Sequence, residues 1–126
     1  MDGSTDRLLV DSGSALNACP VDHALEYPLL PGGTPAKTAS GGELQQMGTR
    51  RVLYKFRDGQ QAEVRYDVLG VHKLVLSVGL MNRTGIAAHF LPEEAYLEDK
   101  HGLRLDLIRD DDVFYLEAER LEPPPG

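Results

Sequence analysis

Between residues 51 and 69, apolar and polar positions alternate with a period of two on both sides of Arg57-Asp58-Gly59-Gln60. Val52, Tyr54 and Phe56 share one face of the first run; Ala62, Val64, Tyr66 and Val68 share one face of the second. The positions between them carry Arg51, Lys55 and Arg57, then Glu63, Arg65 and Asp67. Such alternation flanking an Asp-Gly pair predicts a β-hairpin with one buried face. Leu74-Val75-Leu76-Ser77-Val78-Gly79-Leu80-Met81 predicts a buried strand running into a short helix that ends near Gly85. Residues 86–90, 95–97, 103–108 and 113–116 read as further strands. Polar turns at Asp99-Lys100-His101-Gly102 and Arg109-Asp110-Asp111-Asp112 separate the later ones. Many short strands divided by polar turns predict an all-β domain, a small barrel or sandwich.

Two stretches fall outside this pattern. Residues 28–43 hold three prolines and four glycines with little periodicity, as a long functional loop would. Glu122-Pro-Pro-Pro-Gly cannot pair as a strand, so residues 122–126 are expected to be a tail or linker after a single domain over residues 1–121.

Composition narrows the function. A chain of 126 residues has room for one core. Its net charge of -7, with no basic cluster beyond Arg50-Arg51, argues against a nucleic-acid surface, where Lys and Arg must replace counterions along phosphates. No apolar run approaches the roughly 20 residues that span a bilayer, and the acidic, polar N-terminus does not read as a signal peptide. Cys19 is the only cysteine, which excludes an internal disulfide or a cysteine-based zinc cage and fits a reducing, cytoplasmic setting. The four histidines lack metal-ligand spacing, and Asp110-Asp111-Asp112 lacks the ligand spacing of a calcium loop. No metal or cofactor is expected.

The candidate chemistry lies near the start. Leu8-Leu9-Val10-Asp11-Ser12-Gly13 is a short apolar run that delivers Asp11 into a Ser-Gly turn. Gly13 is expected to let the backbone turn sharply and pack closely behind the acid, and Ser12 to hydrogen-bond from the turn. Asp-[Ser/Thr]-Gly alone arises by chance in roughly one chain of this length in twenty, so its weight depends on what accompanies it. Ala39-Ser40-Gly41-Gly42-Glu43 follows in the long loop, and residues 74–79 supply a second apolar strand ending in glycine.

With these three motifs in this order, residues 8–90 resemble a retropepsin-like aspartic protease, particularly those of copia-like and other retrotransposon polyproteins. Asn17-Ala18-Cys19-Pro20 is similar to the segment that follows the acid in many retrotransposon members. The resemblance implies a small closed β-barrel of the acid-protease type with one short helix. It implies a catalytic Asp11 shaped by Ser12 and Gly13, and a flap formed by Ala39, Ser40, Gly41 and Gly42. Leu76 and Val78 would line apolar substrate pockets, with further lining near Leu44 and Met47.

Peptide hydrolysis by this route needs two carboxylates sharing a proton around one water. The chain has a single Asp-Ser-Gly, so the pair requires a two-fold homodimer. The expected activity is an aspartic endopeptidase that processes a retroelement polyprotein, with an extended polypeptide as substrate. It would act in the cytoplasm or within a retroelement particle, with no membrane or nucleic-acid partner. A catalytically silent retropepsin-like dimerisation or peptide-binding module is the alternative, favoured by the ten-residue leader and by Leu80, where an acid or amide commonly follows the glycine. An unrelated ligand-binding β-barrel that matches Asp-Ser-Gly by accident is the third reading.

Overall fold

A computed structural model describes residues 4–32, 36–37, 43–44 and 46–125. These form a mostly β protein with one short helix. The strands are β1 (Ser4–Asp11), β2 (Ala18–Cys19), β3 (Ala36–Lys37), β4 (Glu43–Leu44), β5 (Gln46–Lys55), β6 (Gln61–Leu69) and β7 (Leu74–Ser77). Helix α1 (Val78–Arg83) follows directly, and then β8 (Ala87–Phe90), β9 (Ala95–Glu98), β10 (Arg104–Asp106), β11 (Ile108–Asp110) and β12 (Val113–Arg120).

The hairpin of β5 and β6 forms as its alternation predicts. Val52 lies opposite Val64 and Tyr54 opposite Ala62. Gly59 takes the turn at a φ of 88°, a left-handed conformation that glycine adopts without steric cost. One expectation fails at the far end of β6. Asp67 belongs to the polar face of the alternation, yet it is buried together with Tyr66, Val68 and Leu69. Here β6 has neighbours on both edges, β2 with Ala18 opposite Asp67 and β5 with Thr49 opposite Asp67, so Asp67 sits inside the sheet and not at an open edge. Gln46 Nε2 then donates to Asp67 Oδ1 at 2.8 Å.

The main sheet runs β1-β7-β2-β6-β5-β12-β11, and β12 pairs in addition with β1. That last pairing extends from Ser4 opposite Arg120 to Leu9 opposite Tyr115. Strand 113–116 is therefore twice as long as the apolar pattern suggests, since β12 continues through Glu117-Ala118-Glu119-Arg120, where only Ala118 is apolar. Backbone partners on two sides, β1 and β5, hold this segment extended. Leu8, Val10, Val52, Tyr54, Tyr66, Val68, Leu76, Leu116 and Ala118 pack into the core between these strands.

A second sheet, β10-β9-β8, is a small antiparallel meander. The expected single strand 103–108 is divided into β10 and β11 at Leu107, whose N–H donates to Ala95 O. One half pairs with β9 and the other with β12, so the chain changes sheets at this residue. Asp111 and Asp112, at φ 53° and 65°, form the two-residue turn into β12. Two successive left-handed residues match the right-handed twist of a tight hairpin, and Asp tolerates them better than most side chains. Asp110-Asp111-Asp112 is thus a hairpin corner.

Candidate functional site at the Asp11 turn

β1 carries two kinds of position. Leu8 and Val10 point inward and are buried, while Asp11 ends the strand half-buried on the other face. β7 runs parallel beside it, with Val10 opposite Leu76 and Asp11 opposite Ser77. A parallel neighbour brings the end of β7, and the start of α1, to the same end of the sheet as Asp11.

The turn itself is short and tied from within. Gly13 N–H donates to Asp11 Oδ1 at 2.8 Å. Gly13 is required for closeness more than for an unusual backbone: it lies outside the left-handed region, and a Cβ there would stand 3.3 Å from Asp11 Oδ1. The chain does turn at Ser12-Gly13, and it packs closely against the acid there with an ordinary backbone at Gly13. Ser12 and Gly13 are exposed. Among the described residues, the hydroxyls that brace the turn are those of Ser14 and Ser77. Ser14 Oγ donates to Leu16 O at 2.6 Å and accepts from Leu16 N–H at 3.2 Å. Ser77 Oγ donates to Ser14 O at 2.7 Å and accepts the N–H of Leu80 at 3.1 Å.

Ser77 thus caps α1 and holds the acid turn with one hydroxyl. It is fully buried, so neither bond is exchanged with water. Asn17 performs a matching task from the other side. Its Oδ1 accepts from Ser77 N–H at 2.8 Å, and its backbone carbonyl accepts from Asp67 N–H at 2.8 Å. Three elements, β1, β6 and β7, are therefore pinned around the loop that follows Asp11. Asn17 opens the segment that resembles the family after the acid, but the bracing roles of Ser14, Asn17 and Ser77 are not legible in the sequence. For Ser77 the signal is the N-cap signature, a Ser immediately before the helical stretch 78–83.

The remaining expected site residues are placed differently. Leu76 is 4% exposed and belongs to the core. Val78 opens α1 and packs half-buried against the same core. Ala39, Ser40, Gly41 and Gly42 lie outside the described residues. Leu44 lies in β4, and Met47 is exposed on β5 beside the bulge at Gly48. Val21, Leu25, Leu29 and Leu30 are exposed as well, along the segment leading away from β2. Cys19 is fully buried in the core, and burial pushes its thiol up to about 11, so it is an inert apolar residue here.

A second carboxylate on β1 has very different surroundings. Asp6 is 6% exposed and accepts from Tyr54 Oη at 2.8 Å. Its Oδ2 lies 3.0 Å from His23 Nε2, and Arg120 Nη1 lies 3.2 Å from Oδ1. Burial pushes the Asp6 pKa up, but the hydrogen bonds from His23 and Tyr54, with the charges of His23 and Arg120, outweigh it and hold the carboxyl below its ordinary range. Tyr66 Oη sits 2.9 Å from Tyr54 Oη, and burial raises both phenols. Tyr27 Oη donates to Leu121 O, fastening the segment after Cys19 to the end of β12.

Among the described residues, no three His, Cys, Asp or Glu side chains converge as a metal site would need, and no helix is long and apolar enough to cross a membrane. No known family model matches the chain, and no curated protein sequence matches it.

Proposed function

We propose that the chain is a retropepsin-like aspartic endopeptidase that acts as a homodimer, processing a retroelement polyprotein. The observation that carries this reading is the Asp11 turn: a carboxylate at the end of a strand, held among the described residues by Gly13 N–H and braced from beneath by Ser14, Asn17 and Ser77. A carboxylate offers about four lone-pair positions, so most of the acceptor capacity of Asp11 is open to a ligand. The return of the strand pairings from β12 to β1 supports a closed barrel of the acid-protease type.

In this reading Asp11 from two protomers meets at a two-fold axis and the pair shares one proton. The ionised carboxylate takes a proton from the water between them. The protonated one hydrogen-bonds the scissile carbonyl oxygen, which gains negative charge as the water oxygen bonds to the carbon. A proton passed to the amide nitrogen then lets the C–N bond break, giving a carboxylic acid and an amine. Gly41 and Gly42 would form the covering flap, and an extended peptide would pair with it as an added strand. Low pH favours the singly protonated pair, so cleavage is expected to peak on the acid side of neutrality.

One observation favours a second reading, the catalytically silent module of the same fold. Residues 4–9 of β1 are paired with β12 of the same protomer, so that edge of the strand is taken within the protomer. Cleavage of a mixed peptide library from about pH 4 to 7 separates the two, with Asp11→Asn beside the wild type. Cleavage lost in Asp11→Asn is the expected result. An inactive wild type at concentrations where sizing shows a dimer would leave the silent module; activity that survives Asp11→Asn would end the aspartic mechanism.

A further inference from the structure

A cavity of about 330 Å³ lies between the β5–β6 hairpin, α1 and the small β8–β9–β10 sheet. Its walls are apolar: Phe56 and Val64 from the hairpin, Leu76 and Met81 at the β7–α1 junction, Leu97 and Leu105 from the small sheet. The small sheet is joined to the main one through α1 and at Leu107. It is tied to it again by Arg109, which donates to Leu91 O and Pro92 O, and by Phe90 against Phe114. The space lies between the layers, over the hairpin end. It is about twice the ~150 Å³ of an apolar cavity that stays dry and takes up benzene. Walls of this kind offer water few hydrogen-bond partners and forfeit dispersion contacts while empty, which favours an apolar occupant. Asp11 does not line it.

The rim has a definite sign. Asp58, Glu63, Glu98 and Asp99 stand around the cavity, with Arg65 as the cation among the described residues that line it. Glu98 Oε1 lies 3.2 Å from His89 Nε2. Asp99 Oδ1 accepts the backbone N–H groups of His101 and Leu103 at 2.8 and 3.0 Å, which fixes its carboxylate in place. Four carboxylates against one guanidinium make the mouth attractive to positive charge. An apolar floor with an acidic rim is complementary to a molecule that is apolar at one end and cationic at the other.

We propose that this cavity is a binding site for a small hydrophobic cation, an aromatic or branched-alkyl body carrying one protonated amine. The body sits among Val64, Leu76, Met81 and Leu105, and the ammonium group stays at the mouth near Glu63 and Asp58. The site is separate from Asp11 but not isolated from it. Leu76 lies opposite Val10 on the strand pair that carries the acid, and Asn17, which lines the cavity, braces the turn.

The test is titration of the whole protein with phenethylamine and, separately, with 3-phenylpropionate, followed by backbone amide NMR. The amine is expected to shift the amides of Val64, Leu76, Met81 and Leu97 saturably and to bind about tenfold more tightly than the acid, with the gap narrowing as salt rises. Val64→Phe fills the cavity and should abolish the shifts. Should Val64→Phe not fold, Asp58→Asn with Glu63→Gln at the exposed rim serves instead, and should reduce the preference for the amine severalfold while leaving the fold intact. Equal affinity for amine and acid, no saturable binding of the amine, or shifts confined to rim residues would overturn the proposal.

Discussion

Two aspartates five residues apart on β1 meet opposite fates. Asp6 points inward with Leu8 and Val10, where Tyr54, His23 and Arg120 complete its hydrogen bonds and balance its charge. Asp11 ends the strand on the alternate face and accepts, among the described residues, from Gly13 N–H. Strand periodicity alone assigns the two faces, since odd and even positions point oppositely. The contrast shows what distinguishes a structural acid from a candidate catalytic one. Burial with a full set of partners makes an acid part of the frame; half-burial with acceptor capacity left over makes it available for chemistry.

The comparison is most exposed to Asp6→Ala. Removing this carboxylate leaves Arg120 and the Tyr54 hydroxyl without it in a buried site, which should cost about 3–5 kcal/mol of unfolding free energy in urea titration. A cost below about 1 kcal/mol would show that the cluster contributes little to the frame. The pH profile sharpens the same point. Because the folded pKa of Asp6 is held below its ordinary 3.8, its contribution is fully present above that value and is lost as pH falls through the lower, folded value. Thermal unfolding should therefore show stability dropping below about pH 4, and a shallower drop in Asp6→Asn.

Tyr54→Phe should have the next largest effect. Tyr66 Oη can donate to Tyr54 Oη, which donates to Asp6, so one deletion leaves two buried groups short of a partner. A loss of about 1–3 kcal/mol is expected by denaturant unfolding. Ser77→Ala removes the helix cap and the bond to Ser14 O, at about 1 kcal/mol. Under the proposed activity it should also lower turnover of a peptide substrate, and a variant with unchanged turnover would separate Ser77 from the acid turn. Asp11→Asn should change stability by less than about 0.5 kcal/mol, because the amide oxygen still accepts from Gly13 N–H. A large loss there would erase the distinction between the two aspartates.

Near-neighbour chemistry was readable from the chain. The β5–β6 hairpin follows from period-two alternation around Asp58-Gly59, and the β7–α1 junction from an apolar run with Ser77 before the helical stretch. Asp11 at the end of an apolar run was likewise visible, because strand direction and turn residues are local properties. Asp6 was not. In a stretch reading Ser-Thr-Asp-Arg it has every mark of a solvated residue, and its partners lie 17, 48 and 114 positions away.

The sequence by itself determined the alternating faces, the turns and the carriage of Asp11 on a strand, since these depend on residues within a few positions of one another. Tertiary structure alone decided the rest. It extended β12 through Glu117 to Arg120 by giving that backbone partners on two sides, and it set Asp67 inside the sheet by pairing β2 along the free edge of β6. It also divided strand 103–108 between two sheets at Leu107 and, between those layers, left the apolar cavity with its acidic mouth. Each of these rests on contacts between distant segments, whose free energy outweighs local preference and leaves no trace in local pattern.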